Sequence, residues 1–138
     1  MLAAERIVAD EIILPDVWKN GIETINFVNK VIDEIESNTD YLNLIYSTEY
    51  NNEGDSYLDR ENKLIKYQAV CQGKDVEEWK WCFKQLYFNK SIDVIGIPKN
   101  THEIFPGGRP EAVKWVLSNY CIGNQMDAKP IHLLGCWE

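Results

Sequence analysis

Apolar residues recur along this chain in two rhythms. Short apolar runs at Ile12-Ile13-Leu14, Ala69-Val70-Cys71, Val94-Ile95-Gly96-Ile97 and Ile131-His132-Leu133-Leu134 have the length and flanks of buried strands. Between them lie three stripes at three- and four-residue spacing, the mark of amphipathic helices. They are Ile22, Ile25, Val28, Val31, Ile32 and Ile35; then Val76, Trp79, Cys82, Phe83 and Leu86; then Ala112, Val113, Val116, Leu117 and Tyr120. Asn20-Gly21 supplies a turn before the first stripe and Ser37-Asn38 ends it, while Pro110 suits a first helical turn and Gly123 a stop. Strands alternating with helices imply right-handed crossovers and a parallel sheet. The pattern therefore predicts an α/β fold of parallel βα units in a single domain, residues 1–138. Its strands are Ile12–Leu14, Tyr67–Cys71, Asp93–Ile97 and Ile131–Leu134.

Other stretches are weaker. Residues 1–8 read as the end of a helix. Between Thr39 and Leu64 the pattern favours a helix over 40–47, a polar loop at Asn51–Ser56, and a helical turn or two over Leu58–Ile65. Pro98, Pro106 and Gly107-Gly108 predict a loop after the third strand.

Composition narrows the function classes. A chain of 138 residues with ordinary apolar content can bury one core. Its net charge of −8 argues against gripping phosphate backbones unaided. No apolar run approaches the roughly 20 residues of a membrane span. Glu5 and Asp10 near the start do not fit a signal peptide, so a cytoplasmic location is expected. Cys71, Cys82, Cys121 and Cys136 lie far apart, which predicts buried thiols and no metal site of zinc-like spacing. Glycine-rich nucleotide motifs are absent, and no cofactor is expected.

Candidate chemistry gathers at strand ends, because loops and helix N-termini at the C-terminal edge of a parallel sheet face one crevice. Asp16 there is either a turn cap or a carboxylate accepting two N–H bonds from a ligand. Gln72 offers one acceptor and two donors, to a ligand edge or to neighbouring backbone. Gly96 permits close approach or serves packing. His132 reads as a core or interface histidine, and His102 and Glu103 as loop residues. Trp79, Trp81 and Trp115 belong to helices facing the sheet, whereas Trp18 and Trp137 stand beside strand ends, either packed or free to stack on a planar ligand. No Ser/His/Asp or Cys/His set can be assembled, so no catalytic residue is assigned.

The order and spacing of Ile12-Ile13-Leu14-Pro15-Asp16, Val70-Cys71-Gln72-Gly73, Val94-Ile95-Gly96-Ile97 and His132-Leu133-Leu134-Gly135 resemble the base-pocket strands of tRNA-guanine transglycosylases. Divergent phage relatives that put 7-deazaguanine bases into DNA are the nearest in flavour, which would place the protein in a host cytoplasm. The resemblance implies a partial (β/α)8, TIM-barrel-like sheet that covers the middle of the family barrel. It implies a guanine or 7-deazaguanine ligand held by Asp16, Gln72, the backbone of Gly96 and Ile97, and the side chain of Leu134. Trp18 stands where the family has a cysteine, and Ile95-Gly96 where it has two glycines. The family's catalytic aspartates and zinc segment fall outside the region covered. DNA or tRNA would then be reached only through a completing chain. The alternative is a non-enzymatic α/β protein with a vestigial pocket, acting through self-association or a protein partner; an unrelated enzyme using Asp16 with His132 or Glu103 is a third. An open parallel sheet has unpaired outer strands, so a homo-oligomer is expected.

Overall fold

The computed structural model describes residues 11–120 and 129–135. The expected helix end at residues 1–8, the Gly123 stop, Cys121, Cys136 and Trp137 lie outside the described residues.

Among the described residues, six strands and five helices follow one another as β1 (Glu11–Ile13), α1 (Gly21–Glu36), α2 (Thr39–Ile45), β2 (Tyr46–Tyr50), β3 (Ser56–Lys63), β4 (Lys66–Val70), α3 (Val76–Tyr87), β5 (Val94–Ile97), α4 (Thr101–Ile104), α5 (Arg109–Asn119) and β6 (Ile131–Leu133). β1, β4, β5 and β6 form a four-stranded sheet in that order, and every pairing is parallel. The four apolar runs are its strands, as the pattern predicts.

The three stripes become α1, α3 and α5. Asn20 caps α1 by accepting from the Glu23 amide, and Asp75 caps α3 by accepting from the Glu78 amide, each satisfying an amide that the helix itself leaves unpaired. Val28 and Ile32 of α1, Trp79, Cys82, Phe83 and Leu86 of α3, and Ala112 and Val116 of α5 share one core with Leu14, Tyr67, Ala69, Cys71, Ile95 and Ile97. Side chains alternate across a strand, so these strand residues all lie on one face of the sheet. That face carries the helices. An aromatic cluster joins α3 to α5: Trp79 stacks on Phe83 with centroids 5.7 Å apart, and Trp115 meets Phe83 edge-on at 6.0 Å. Such pairs add about 0.5–1.5 kcal/mol each beyond burial.

Two expectations need correction. Leu58–Ile65 is not helical; residues 56–63 form β3, antiparallel to β2. The turn decides it. Asn51 Oδ1 accepts from the amides of Glu53 and Asp55, and Gly54 sits at φ +86, a conformation that favours glycine. A closed hairpin then supplies β3 with a ladder partner, which a marginal helical pattern cannot match. The loop after β5 also contains a helical turn, α4, started by Thr101 N donating to Pro98 O and closed by Phe105 N donating to Thr101 O.

The other end of the sheet is held by lysines. Lys63 donates to the Ser91 carbonyl at 2.9 Å and pairs with Asp93, which also accepts from the Tyr67 amide. Lys129 donates to the Leu86 and Asn89 carbonyls. Burial lowers the Lys63 pKa, against the pull of Asp93, and lowers that of Lys129 to about 8.

Candidate functional site

At the C-terminal edge an open crevice of about 1220 Å³ is lined by Asp16, Trp18, Gln72, Asn100, Glu103 and Arg109, among others. Its apolar walls come from Pro98, Pro110, Val113 and Leu133.

Gln72, 2% exposed, ties this edge together. It follows β4, and its Nε2 donates to Asp16 Oδ2 at 2.7 Å. Its Oε1 accepts from the Lys19 amide and from Asn100 Nδ2, both at 3.0 Å. One side chain thus joins the loop after β1 to the loop after β5. Asp16 is exposed and does not cap α1, since Asn20 does that. The carboxylate is instead held at the crevice by Gln72, with its remaining acceptor capacity available.

Asn100 completes the arrangement. Its Nδ2 is committed to Gln72, while its Oδ1 is buried without a hydrogen-bond partner among the described residues. A buried acceptor left unmade costs about 1–3 kcal/mol. Trp18 is 66% exposed beside it, not packed in the core, with Lys19 Nζ 4.4 Å from its ring centroid. Lys19 adopts φ +56 and forms an ion pair with Glu103 at 2.9 Å. Arg109 donates to the carbonyls of Ile97 and Leu134 at the ends of β5 and β6.

The structure brings Asp16 and Gln72 together in the crevice. Gly96, Ile97 and Leu134 do not line it. Gly96 faces the side of the sheet away from the helices, where a Cβ would lie 2.8 Å from Gln68 Oε1 and 2.9 Å from Leu134 Cδ1. Leu134 therefore packs over Gly96. The Gly96 carbonyl accepts from Cys71 N and the Ile97 carbonyl from Leu134 N, so both peptides lie in the plane of the sheet. The Ile97 side chain is fully buried in the helix-side core.

That second face carries a polar row. Gln68, fully buried, donates to Glu11 and reaches His132 Nδ1 at 3.2 Å, passing over the space that Gly96 leaves open. His132 is exposed, so of its two readings, core or interface, the core one does not hold, though the ring is partnered. His102 and Glu103 also line the crevice. The sequence reading passed over Asn100, Lys19, Gln68 and Glu11. For Glu11 and Gln68 a signal existed: each is a polar residue within an otherwise apolar strand.

Cys71 is no nucleophile here. Its thiol is fully buried, and burial, with Cys82 beside it, raises its pKa well above the ordinary value. Among the described residues no group of three His, Cys, Asp or Glu could hold a metal ion, and no helix is long and apolar enough to cross a membrane. In comparisons with models of protein families, with curated proteins and with solved structures, nothing matches this chain.

Proposed function

We propose that this chain binds a guanine-like base, guanine or a 7-deazaguanine, at the C-terminal edge of its parallel sheet, as the base-recognising part of a transglycosylase-like (β/α)8 barrel. The observation that carries this reading is the pair of acceptors beside Gln72. The Asp16 carboxylate and the unpartnered Asn100 Oδ1 both call for ligand donors, and Trp18 offers a flat exposed ring. A guanine edge presents an N1–H and an exocyclic amine side by side, and its ring stacks on an indole. Gln72 then acts as the clamp that aims Asp16 and Asn100, and reads the base through them. Gly96 and Leu134 belong to the interior of the completed barrel in this reading, and Ile97 to the layer between sheet and helices. Base exchange requires a nucleophile, and no residue of this chain matches the family's. Turnover on DNA or tRNA would wait on the completing strands.

Calorimetric titration with guanine and 7-deazaguanine tests the proposal. A hydrogen bond to a charged group contributes about 1.5–3 kcal/mol. At about 1.4 kcal/mol per tenfold, Asp16→Asn is expected to weaken binding roughly 10- to 150-fold. Adenine, which presents an acceptor where guanine has its N1–H, is expected to bind more weakly than guanine. Equal affinity in both variants, or no binding, would leave the crevice vestigial. Gln72 favours that second reading in one respect, since its carbonyl oxygen is already occupied by protein donors.

A further inference from the structure

The crevice is larger and more basic than a bare base needs. Its volume of about 1220 Å³ exceeds the roughly 300–1,000 Å³ of pockets that enclose a drug-sized molecule, so a purine at Asp16, Asn100 and Trp18 fills only part of it. The chain as a whole carries 22 acidic and 14 basic residues. Around the crevice the balance is reversed among the described residues, with Lys19, Lys99 and Arg109 against Asp16 and Glu103. Lys19 is spent on Glu103.

Arg109 is the cation set apart. It opens α5 after Gly107 and Gly108, whose φ of +86 and +82 make a turn that other residues rarely adopt. The turn delivers its side chain to the ends of β5 and β6, where Nη1 donates to Ile97 O at 3.3 Å and to Leu134 O at 2.5 Å. Both Nη1 hydrogens are thereby used. Two carbonyl dipoles fix the plane of the guanidinium without neutralising it, and among the described residues no carboxylate pairs with this partly buried charge. Its Nε–H and Nη2 amine find no acceptor among them either. Those two groups form one of the edges by which a guanidinium grips an oxyanion bidentately. A side chain already held in place loses little freedom when an anion docks on it.

The spacing suits a nucleotide. Asn100 lies three residues beyond Ile97, at most about 11 Å at full extension, and the turn closed by Thr101 N on Pro98 O shortens that path. One sugar can bridge a base edge at Asn100 and a phosphate at Arg109. We infer that the crevice takes a guanine nucleotide and receives a single phosphate group on the Nε/Nη2 edge of Arg109. This rests on the base reading proposed above and adds the part of the ligand that it leaves open. A net charge of −8 repels a polyanion, so the ligand of this chain alone is a free mononucleotide and not a strand.

Calorimetry at low salt with guanosine, guanosine 5′-monophosphate and cytidine 5′-monophosphate provides the test. The guanine nucleotide is expected to bind about 10- to 150-fold more tightly than guanosine, the scale of one hydrogen bond to a charged group. Arg109→Gln, whose amide still donates to a strand-end carbonyl, is expected to bring the two ligands to equal affinity, and its melting curve reports whether the fold is kept. Equal affinity in the unaltered chain overturns the inference without any variant. So does an advantage that survives in folded Arg109→Gln, because the phosphate then sits elsewhere. A guanine-containing DNA trinucleotide that binds more tightly than the mononucleotide overturns the choice of a free nucleotide. The two proposals fail separately. Cytidine monophosphate bound as tightly as the guanine nucleotide, and dependent on Arg109, keeps the phosphate site and removes the guanine reading. Guanosine binding with no gain from the phosphate removes the phosphate site alone, and silence with every ligand removes both.

Discussion

Gln72 and Lys19 are where single residues decide the crevice. Gln72→Leu would leave the Lys19 amide and Asn100 Nδ2 without their acceptor and free Asp16. A loss of about 1–3 kcal/mol per orphaned group is expected in urea unfolding, together with loss of guanine binding. Lys19 is a contrasting case. At φ +56 a side chain costs roughly 1–2 kcal/mol relative to the ordinary regions. Its ion pair with Glu103 is exposed and contributes little. Lys19→Gly is therefore expected to stabilise the fold by about 1 kcal/mol, again read by urea unfolding, and a destabilised variant would mean that the ion pair outweighs the strain. Asp16 and Gln72 were legible in the sequence because each is a polar residue closing an apolar run. Asn100 was not, since an asparagine after Pro98-Lys99 looks like any loop residue until Gln72 is folded against it. Gly96 was legible as a close approach, but what approaches is Gln68 and Leu134, from strands that the sequence does not place beside it.

At the scale of elements, the helices and parallel strands were readable because each satisfies its own periodicity. The β2–β3 hairpin was not, because its residues alternate poorly and its pairing is set by the turn at Asn51–Asp55. Element contacts also carry the tightest steric limits. A Cβ at Gly21 would lie 2.6 Å from the Gln72 carbonyl oxygen, a backbone atom that cannot swing aside. Gly21→Ala should push the start of α1 away from the end of β4, at a cost of about 1–3 kcal/mol, visible as a lower melting temperature and weaker guanine binding. Trp79, 1% exposed, packs against Phe83, Phe105 and Trp115. Trp79→Ala should cost about 3–5 kcal/mol in the same melt without any direct effect on ligand contacts.

For the molecule as a whole, the lysines at the N-terminal edge set a pH dependence. Lys129 is held down to about 8 by burial against an ordinary 10.5, and Lys63 is lowered in the same direction. Above about pH 8 the folded chain gives up a proton that the unfolded chain keeps, so stability rises with pH. Cys71 and Tyr120, both raised by burial, oppose this above their ordinary values of 9.0 and 10.0. Urea unfolding should therefore show stability climbing from about pH 7.5 to 9 and then levelling or falling, and Lys129→Met should flatten the climb. A flat profile in the unaltered chain would mean that the lysine is better solvated than its contacts indicate. The hairpin bears on the chain's continuity. Its tip at Asn51–Asp55 is exposed, and around Gly54 the space is open. What holds the segment before it to the segment after it is the β1–β4 ladder, the β2–β3 ladder and the packing of α1 on α3, none of which needs an unbroken chain. The gene should thus be divisible: residues 1–52 and 53–138, expressed as separate polypeptides, are expected to find each other and purify as one complex.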